Sequence, residues 1–315
     1  GHLMTETNRE YIERRVDGGA IEALSVFPRY FEIETVNACN ARCPMCTIDD
    51  WDRRDGLMSE DLYEKIVNEM EPHSDEIKRV ALYRDGEPLL DKRLAKKVAM
   101  LKEREIGHVN FSTNASLLNE DRAEQLLLAG LDEILLSVDS LNPSVYEEIR
   151  KGLSFEEVMA NCLRFIKLRD AMQSDCQIWV RMIRQESNYH EWPQYQEFWR
   201  SRLQADDRVD YRNLHNWGAQ LVNFHPVAVA DTRMPCVALW SLMVIFANGD
   251  VPLCNVDYNN RYPLGNVLES SIADLWQSAE QNRRRDAHLS GDRSAIKLCA
   301  NCTVWSEQAT ERKAA

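Results

Sequence analysis

Three cysteines lie close together, directly after an apolar run that predicts a β-strand. They are spaced as Cys39-Asn-Ala-Arg-Cys43-Pro-Met-Cys46. Three thiolates at this spacing can hold three irons of a [4Fe–4S] cube, whereas such clusters are normally held by four. The fourth iron would keep an open position, as catalytic metals do. The spacing therefore predicts a catalytic [4Fe–4S] cluster with one open iron.

A structural zinc ion is the alternative for these cysteines. Structural zinc uses four ligands in two pairs. The nearest further ligand, His73, lies beyond a predicted helix. The spacing therefore favours a cluster over zinc.

A second motif, Tyr83-Arg-Asp-Gly86-Glu87-Pro88-Leu-Leu, closes the next predicted strand. Together with the cysteines it resembles the CxxxCxxC and Gly-Glu-Pro signatures of the radical S-adenosylmethionine (SAM) enzymes. The resemblance implies that SAM chelates the open iron through its amino and carboxylate groups, and that the Gly-Glu-Pro segment holds the amino group. It also implies one-electron cleavage of SAM to a 5′-deoxyadenosyl radical. Met45 stands where the family usually has an aromatic residue, and its thioether can pack on adenine.

Short apolar runs alternate with amphipathic stretches along the first two thirds of the chain. The predicted strands are Arg29–Thr35, Arg79–Tyr83, His108–Thr113, Glu133–Asp139, Gln177–Arg184 and Tyr211–Trp217. The predicted helices are Ser59–Glu71, Asp91–Glu105, Asn119–Ala129, Ser154–Ala171 and Tyr189–Leu203. This alternation predicts an α/β fold with a parallel sheet, whose ligands gather at the carboxyl ends of the strands. The resemblance implies closure into a partial (βα)6 TIM-like barrel.

Polar residues mark the carboxyl ends of the third and fourth predicted strands. Ser137 and Asp139 are candidates to bind the ribose hydroxyls of SAM, and Ser112 and Asn114 occupy equivalent positions one strand earlier. The alternative for each is a simple turn residue.

Arg181 interrupts an apolar strand, where an unpaired charge would be costly. It therefore meets a carboxylate, either that of SAM or that of a protein side chain. Arg184 either faces the substrate or is a solvated strand end. Arg181, Tyr83 and Arg184 are the catalytic candidates, although the sequence does not identify a base.

The last third of the chain carries Cys236, Cys254, Cys299 and Cys302. Four thiolates suit zinc or a fully ligated cluster. The pattern Cys-x12-Gly-x4-Cys, followed by a final Cys-x2-Cys, resembles the auxiliary-cluster extension of SPASM and twitch radical SAM proteins. The resemblance implies the shorter, twitch form with one auxiliary [4Fe–4S] cluster. We expect a core domain over residues 5–222, including an N-terminal lead-in, and the auxiliary-cluster domain over 223–315.

Composition restricts the partners and the compartment. The net charge of −13 disfavours nucleic acid, and no stretch is long and apolar enough to predict a membrane span. Oxygen-labile clusters suit a reducing cytoplasm. The two remaining cysteines, Cys162 and Cys176, are interpreted as buried core residues, and His215 and His225 as structural.

Two classes of substrate remain open. The overall pattern is similar to the aminocyclitol dehydrogenase type of the butirosin pathway, which implies oxidation of a secondary alcohol in an aminocyclitol, amino sugar or nucleoside sugar. The alternatives are a peptide-modifying SPASM enzyme, forming thioethers or oxidising or epimerising residues, and a sugar epimerase. Only 38 residues precede Cys39, which favours the small molecule. A non-enzymatic iron–sulfur scaffold or electron carrier is disfavoured, because such a protein has no need of an open iron. The expected cofactors are two [4Fe–4S] clusters and SAM, with flavodoxin or ferredoxin as reductant.

Overall fold

The computed structural model describes residues 6–43, 46–213, 233–300 and 302. Met45, His215, His225 and the expected domain boundary lie outside these residues. The strands are β1 (Tyr30–Ile33), β2 (Val36–Asn37), β3 (Gly56–Leu57), β4 (Arg79–Ala81), β5 (His108–Thr113), β6 (Glu133–Ser137), β7 (Gln177–Arg184), β8 (Arg208–Asn213), β9 (Leu242–Ile245), β10 (Asp250–Val251) and β11 (Gly265–Asn266). The α-helices are α1 (Asn8–Arg15), α2 (Ile21–Leu24), α3 (Glu60–Met70), α4 (Leu94–Glu103), α5 (Glu120–Leu128), α6 (Pro143–Ile149), α7 (Phe155–Ala171), α8 (Trp192–Arg200), α9 (Ala238–Ser241), α10 (Ile272–Trp276), α11 (Ala279–Leu289) and α12 (Lys297–Ala300). Short 3-10 helices are Ile48–Asp50, Glu71–His73, Pro88–Leu90, Tyr189–Glu191 and Arg293–Ala295.

The chain divides into two compact units. The larger comprises Glu32–Leu214 with Phe246–Asn248, and the smaller comprises Gly1–Phe31, His215–Ile245 and Gly249–Ala315. The described part of the N-terminal lead-in up to Phe31 falls in the smaller unit, and the domain bounds of 5–222 and 223–315 stay a prediction.

The sheet of the larger unit has the strand order β1-β4-β5-β6-β7-β8. The four pairs from β4 to β8 are all parallel, and the strands alternate with helices along the chain. The predicted α/β fold is thereby confirmed. The last strand begins at Arg208, three residues before the predicted Tyr211, because Arg208 and Val209 already pair with Trp179 and Val180.

Side-chain caps fix the starts of the crossover helices. Ser59, Asn119 and Ser154 each accept a hydrogen bond from a backbone N–H of the first turn, which satisfies a donor that the helix leaves free. Sequence analysis missed α6, although Asn142 caps it and Pro143 occupies its first turn. That Asn-Pro pair is a recognisable start signal.

The smaller unit has its own apolar core. Tyr11 and Leu24 of the N-terminal segment belong to the same buried cluster as Trp240 and Cys302. The indole N–H of Trp276 donates to the Leu24 carbonyl at 2.9 Å. The N-terminal segment therefore helps to bury the C-terminal cysteine region.

Candidate functional site

A cavity of about 140 Å³ lies at the carboxyl ends of the central strands of the larger unit. Three of its lining residues are Cys39, Cys43 and Cys46. The others come from the cysteine segment itself, from the loop after β4, from the ends of β5 and β6, and from the end of α6: Ala41, Tyr83, Arg84, Asp85, Gly86, Glu87, Ser112, Thr113, Asn114, Ser137 and Arg150. The sheet thus brings together segments that are far apart in sequence.

The three cysteines lie in a poorly hydrated environment. Cys43 is buried, and Cys39 and Cys46 are half-buried. Burial raises the pKa of all three thiols, that of Cys46 to about 12. These thiols are therefore protonated without metal at neutral pH, and a bound cluster would have to supply the positive charge that stabilises their thiolates.

The loop after β4 is docked directly on the segment that leads to Cys39. A Cβ atom on Gly86 would clash with the Ala38 carbonyl oxygen and lie 2.7 Å from that of Val36. The Glu87 N–H donates to the Ala38 carbonyl at 2.8 Å. Only glycine permits this approach, so the Gly-Glu-Pro motif holds the cysteine segment in place.

The Glu87 carboxylate is buried and fully engaged. Its oxygens accept hydrogen bonds from the Asn114 N–H at 2.7 Å, the Leu89 N–H at 2.8 Å and the Thr113 hydroxyl at 2.9 and 3.0 Å. Burial raises the pKa of this carboxyl, while the hydrogen bonds from Asn114, Leu89 and Thr113 lower it. Glu87 therefore ties the loop after β4 to the end of β5.

We expect Glu87→Ala to weaken SAM binding and to destabilise the fold. The substitution leaves several buried donors without an acceptor, which should cost about 3 kcal/mol of unfolding free energy. SAM titration together with denaturant unfolding measures both effects. Glu87→Gln keeps one of the two acceptor oxygens, so its SAM affinity and its free energy of unfolding should lie between those of the alanine variant and the wild type. Unchanged SAM affinity in the alanine variant would show that the motif serves the fold alone.

The predicted ribose-binding residues divide into two groups. Ser112 and Ser137 line the cavity, with their hydroxyl oxygens 3.2 Å apart. Asn114 also lines it and donates to the Asn40 side chain at 3.0 Å, next to Cys39. Asp139 is fully buried, and its two oxygens accept from the Ile183 N–H and from Arg150. Asp139 therefore orients an arginine from behind the cavity wall.

Arg181 meets a carboxylate, as its place in an apolar strand predicts. The partner is Asp210, at 3.0 and 3.3 Å, and the guanidinium also lies over the Trp179 ring. Arg184 bonds Asn213 at 3.3 Å and lies over the Tyr211 ring. These pairings hold both arginines against β8.

Arg150 is the site residue that sequence analysis missed. It follows α6, and its Nε donates to Asp139 Oδ2 at 2.6 Å while its Nη1 lies 3.7 Å from Cys43 Sγ. The lone sequence signal was the helix start at Asn142 and Pro143, and it does not indicate where the helix ends or that Arg150 reaches Cys43. Asp139 and Arg150 thus place a guanidinium against a predicted cluster ligand.

Arg150→Met should make the reduction potential of the N-terminal cluster more negative, because it removes a cation and an N–H donor beside Cys43. It also leaves Asp139 buried without its cation, which should cost about 3 kcal/mol. A redox titration followed by EPR, with thermal unfolding in parallel, measures both. Arg150→Lys restores the charge and should recover part of the potential. An unchanged potential in the methionine variant would contradict the assignment.

The four C-terminal cysteines gather in the smaller unit. Cys302 belongs to its buried cluster, and Cys236, Cys254 and Cys299 pack against that cluster. Burial and the neighbouring thiolates of Cys299 and Cys302 raise the pKa of Cys254. These thiols raise one another's pKa in an apolar setting, which brings the four predicted ligands into one region although their side chains are not gathered as for a single metal ion. His288, which is buried, accepts the Cys236 N–H on Nδ1 at 3.0 Å.

Within the described residues, no group of three or more His, Cys, Asp or Glu side chains is gathered as for a single metal ion. Nor does any described helix combine the length and apolar character needed to cross a bilayer.

Comparison with known proteins shows two domains. The profile of the radical SAM superfamily matches residues 33–172, and that of the SPASM iron–sulfur cluster-binding domain matches residues 236–303. A tungsten-containing aldehyde ferredoxin oxidoreductase cofactor-modifying protein from Pyrococcus furiosus is 27% identical over 293 residues, covering 79% of this chain and 81% of that protein.

Two solved structures share the fold over most of the chain. BtrN in complex with AdoMet and 2-DOIA has a TM-score of 0.60 at 22% identity, covering 87% of this chain and 92% of that one. Streptococcus suis SuiB bound to precursor peptide SuiA has a TM-score of 0.66 at 15% identity, covering 90% and 73%. The parallel sheet is therefore the partial barrel of this fold, and the chain carries a radical SAM domain over residues 33–172 and a SPASM iron–sulfur cluster-binding domain over residues 236–303.

Proposed function

We propose that this radical SAM SPASM enzyme oxidises a secondary alcohol of a small polar substrate, such as an aminocyclitol, an amino sugar or a nucleoside sugar. When bound, the N-terminal cluster and SAM would supply a 5′-deoxyadenosyl radical to take the carbinol hydrogen. A second, auxiliary [4Fe–4S] cluster would accept the electron that the substrate radical then loses, and the hydroxyl proton would pass to a base or to water.

The residues of the larger unit have distinct parts in this proposal. Cys39, Cys43 and Cys46 hold the first cluster and leave one iron open. Ser112 and Ser137 offer adjacent hydroxyls to the ribose of SAM. Arg150 lines the cavity beside Cys43, whereas Arg181 is not among the described residues that line it, so we assign the SAM carboxylate to Arg150.

The observation that carries oxidation is the arrangement of the C-terminal cysteines. Cys302 lies in one apolar core and the other three pack against it; a cluster that all four ligate would have no open iron for substrate and would suit electron transfer. An epimerase would instead need a hydrogen donor at the cavity. Cys162 and Cys176 are buried in the larger unit, and neither is among the described residues that line the cavity.

A small substrate is supported by the likeness to BtrN, whose chain is matched over 92% of its length. The second candidate is peptide modification, which the likeness to peptide-bound SuiB favours. Genes adjacent to this one discriminate between them, since aminotransferase and glycosyltransferase genes indicate a sugar and a short precursor gene indicates a peptide. Of the three catalytic candidates, Tyr83 is the one among the described residues that lines the cavity. We further propose a flavodoxin or ferredoxin reductant and a cytoplasmic location.

Turnover in deuterium oxide tests the reaction type. A panel of aminocyclitols and amino sugars is incubated anaerobically with the reconstituted enzyme, SAM and dithionite. Oxidation gives a product about two mass units lighter, from the loss of two hydrogens, with no solvent deuterium on carbon. Deuterium incorporated at carbon without a change of oxidation state would replace oxidation by epimerisation.

A further inference from the structure

His288 is fully buried in the smaller unit, and its two ring nitrogens differ in their surroundings. Nδ1 accepts the backbone N–H of Cys236 at 3.0 Å. Nε2 is buried as well and has no hydrogen-bond partner within the part of the chain that the structure describes. Because a buried polar group without a hydrogen bond is costly, Nε2 is suited to meet a group that binds in the loaded protein.

The hydrogen bond from Cys236 fixes where the ring carries its proton. A ring nitrogen that accepts an N–H has no proton of its own, so the proton of the neutral imidazole lies on Nε2. A doubly protonated ring would turn a donor against the Cys236 N–H. Nε2 is therefore a hydrogen-bond donor, and the partner that it needs is an acceptor.

The ring of His288 lies in the region of the C-terminal cysteines. Cys236 and Cys299 pack against the buried apolar cluster that contains Cys302. Burial raises the pKa of the Cys236 and Cys299 thiols, while the charge of Arg293, which is 1% exposed, lowers both. Burial and the same charge lower the pKa of His288. One buried guanidinium thus acts on the histidine and on two of the four predicted ligands.

We propose that His288 is a positioning residue for the auxiliary cluster: Nδ1 holds the Cys236 backbone, and the Nε2–H donates a hydrogen bond to a sulfur of the cluster. Hydrogen bonds to the sulfurs are among the factors that set the reduction potential of such clusters. Because the cluster gains a negative charge on reduction, this donor favours the reduced form. The inference rests on the proposed function, in which the auxiliary cluster accepts an electron, and it assigns His288 to making that acceptance easier.

Two substitutions separate the parts of the two ring nitrogens. In His288→Asn the amide oxygen stands near the place of Nδ1 and can accept the Cys236 N–H, but no donor reaches the place of Nε2. In His288→Gln the amide nitrogen stands near the place of Nε2, while the acceptor for Cys236 is lost. Both are made in the full chain with its three N-terminal cysteines replaced by alanine, so that the auxiliary cluster titrates alone.

His108→Asn in the same background is the matched control. His108 also has a buried ring nitrogen without a partner among the described residues, but it lies in the larger unit. A redox titration followed by EPR measures the potential of each reconstituted protein. We expect the potential of His288→Asn to fall by about 59 mV, which is a tenfold loss in the ratio of reduced to oxidised cluster for a one-electron couple. His288→Gln and His108→Asn should stay near the unsubstituted value.

Pulsed EPR gives a second measurement that requires no variant of His288 to fold. The reduced auxiliary cluster in protein made with 15N-labelled histidine should show a coupled nitrogen, and absence of that coupling overturns the inference. An unchanged potential in His288→Asn also overturns it. So does a shift in His288→Gln or His108→Asn as large as that in His288→Asn, because the distal donor is then not what sets the potential. Zinc in place of a cluster in the wild-type protein overturns the proposed electron acceptor itself, and this inference with it.

Discussion

Cys46→Ala should abolish the reductive cleavage of SAM to 5′-deoxyadenosine. The wild-type enzyme, reduced with dithionite or flavodoxin, should cleave SAM slowly even without substrate, because the open iron binds SAM whether or not the substrate is present. Three thiolates ligate three irons of the cube and leave one free, so removing Cys46 leaves a second iron without a protein ligand and the cube without adequate support. Chromatographic measurement of 5′-deoxyadenosine gives the rate.

Iron and sulfide analysis shows whether the loss of SAM cleavage follows from loss of the N-terminal cluster. Two [4Fe–4S] clusters correspond to about eight irons and eight sulfides per chain, and replacing Cys39, Cys43 and Cys46 together should leave about half of each. Cys176→Ala is the matched control, because Cys176 is a buried cysteine whose thiol hydrogen bonds the Gln177 carbonyl. It should keep the full metal content. One cluster accompanied by tightly held zinc in the wild-type protein would overturn the assignment of the C-terminal cysteines.

Cys254→Ala should separate SAM cleavage from product formation. The residues proposed to hold the N-terminal cluster and SAM belong to the larger unit, so the variant should still form 5′-deoxyadenosine. In the proposed mechanism the substrate radical then has no electron acceptor, and oxidised product should fall at least about tenfold, the equivalent of 1.4 kcal/mol or more in the barrier. Mass spectrometry of product and 5′-deoxyadenosine from one reaction gives the ratio.

The outcome for Cys254→Ala decides what the second cluster does. Oxidised product at wild-type yield would show that the auxiliary cluster is not the acceptor. Loss of both product and SAM cleavage would show that the substitution damages more than the auxiliary site. Iron analysis of the same sample should show about four irons remaining.

The sequence by itself determined the fold class and the two cysteine sets. Alternating apolar and amphipathic segments require a parallel sheet with helical crossovers, since buried strands and helices of this length pack in few other ways. The spacing of Cys39, Cys43 and Cys46 is local, so it is readable without a structure. The same holds for the helix starts at Ser59 and Asn119, where a cap satisfies N–H groups only three residues away.

The tertiary structure decided which polar side chains are free to meet a ligand. Glu87 and Asp85 stand two residues apart on one loop. The Glu87 carboxylate accepts hydrogen bonds from Thr113 and Asn114 at the end of β5, whereas the oxygens of Asp85 have no hydrogen bond. Arg150 reaches Cys43 across more than one hundred residues because Asp139 holds it there. Hydrogen bonds between distant segments depend on atomic distances that exist only after the strands are paired, and local sequence carries no record of them.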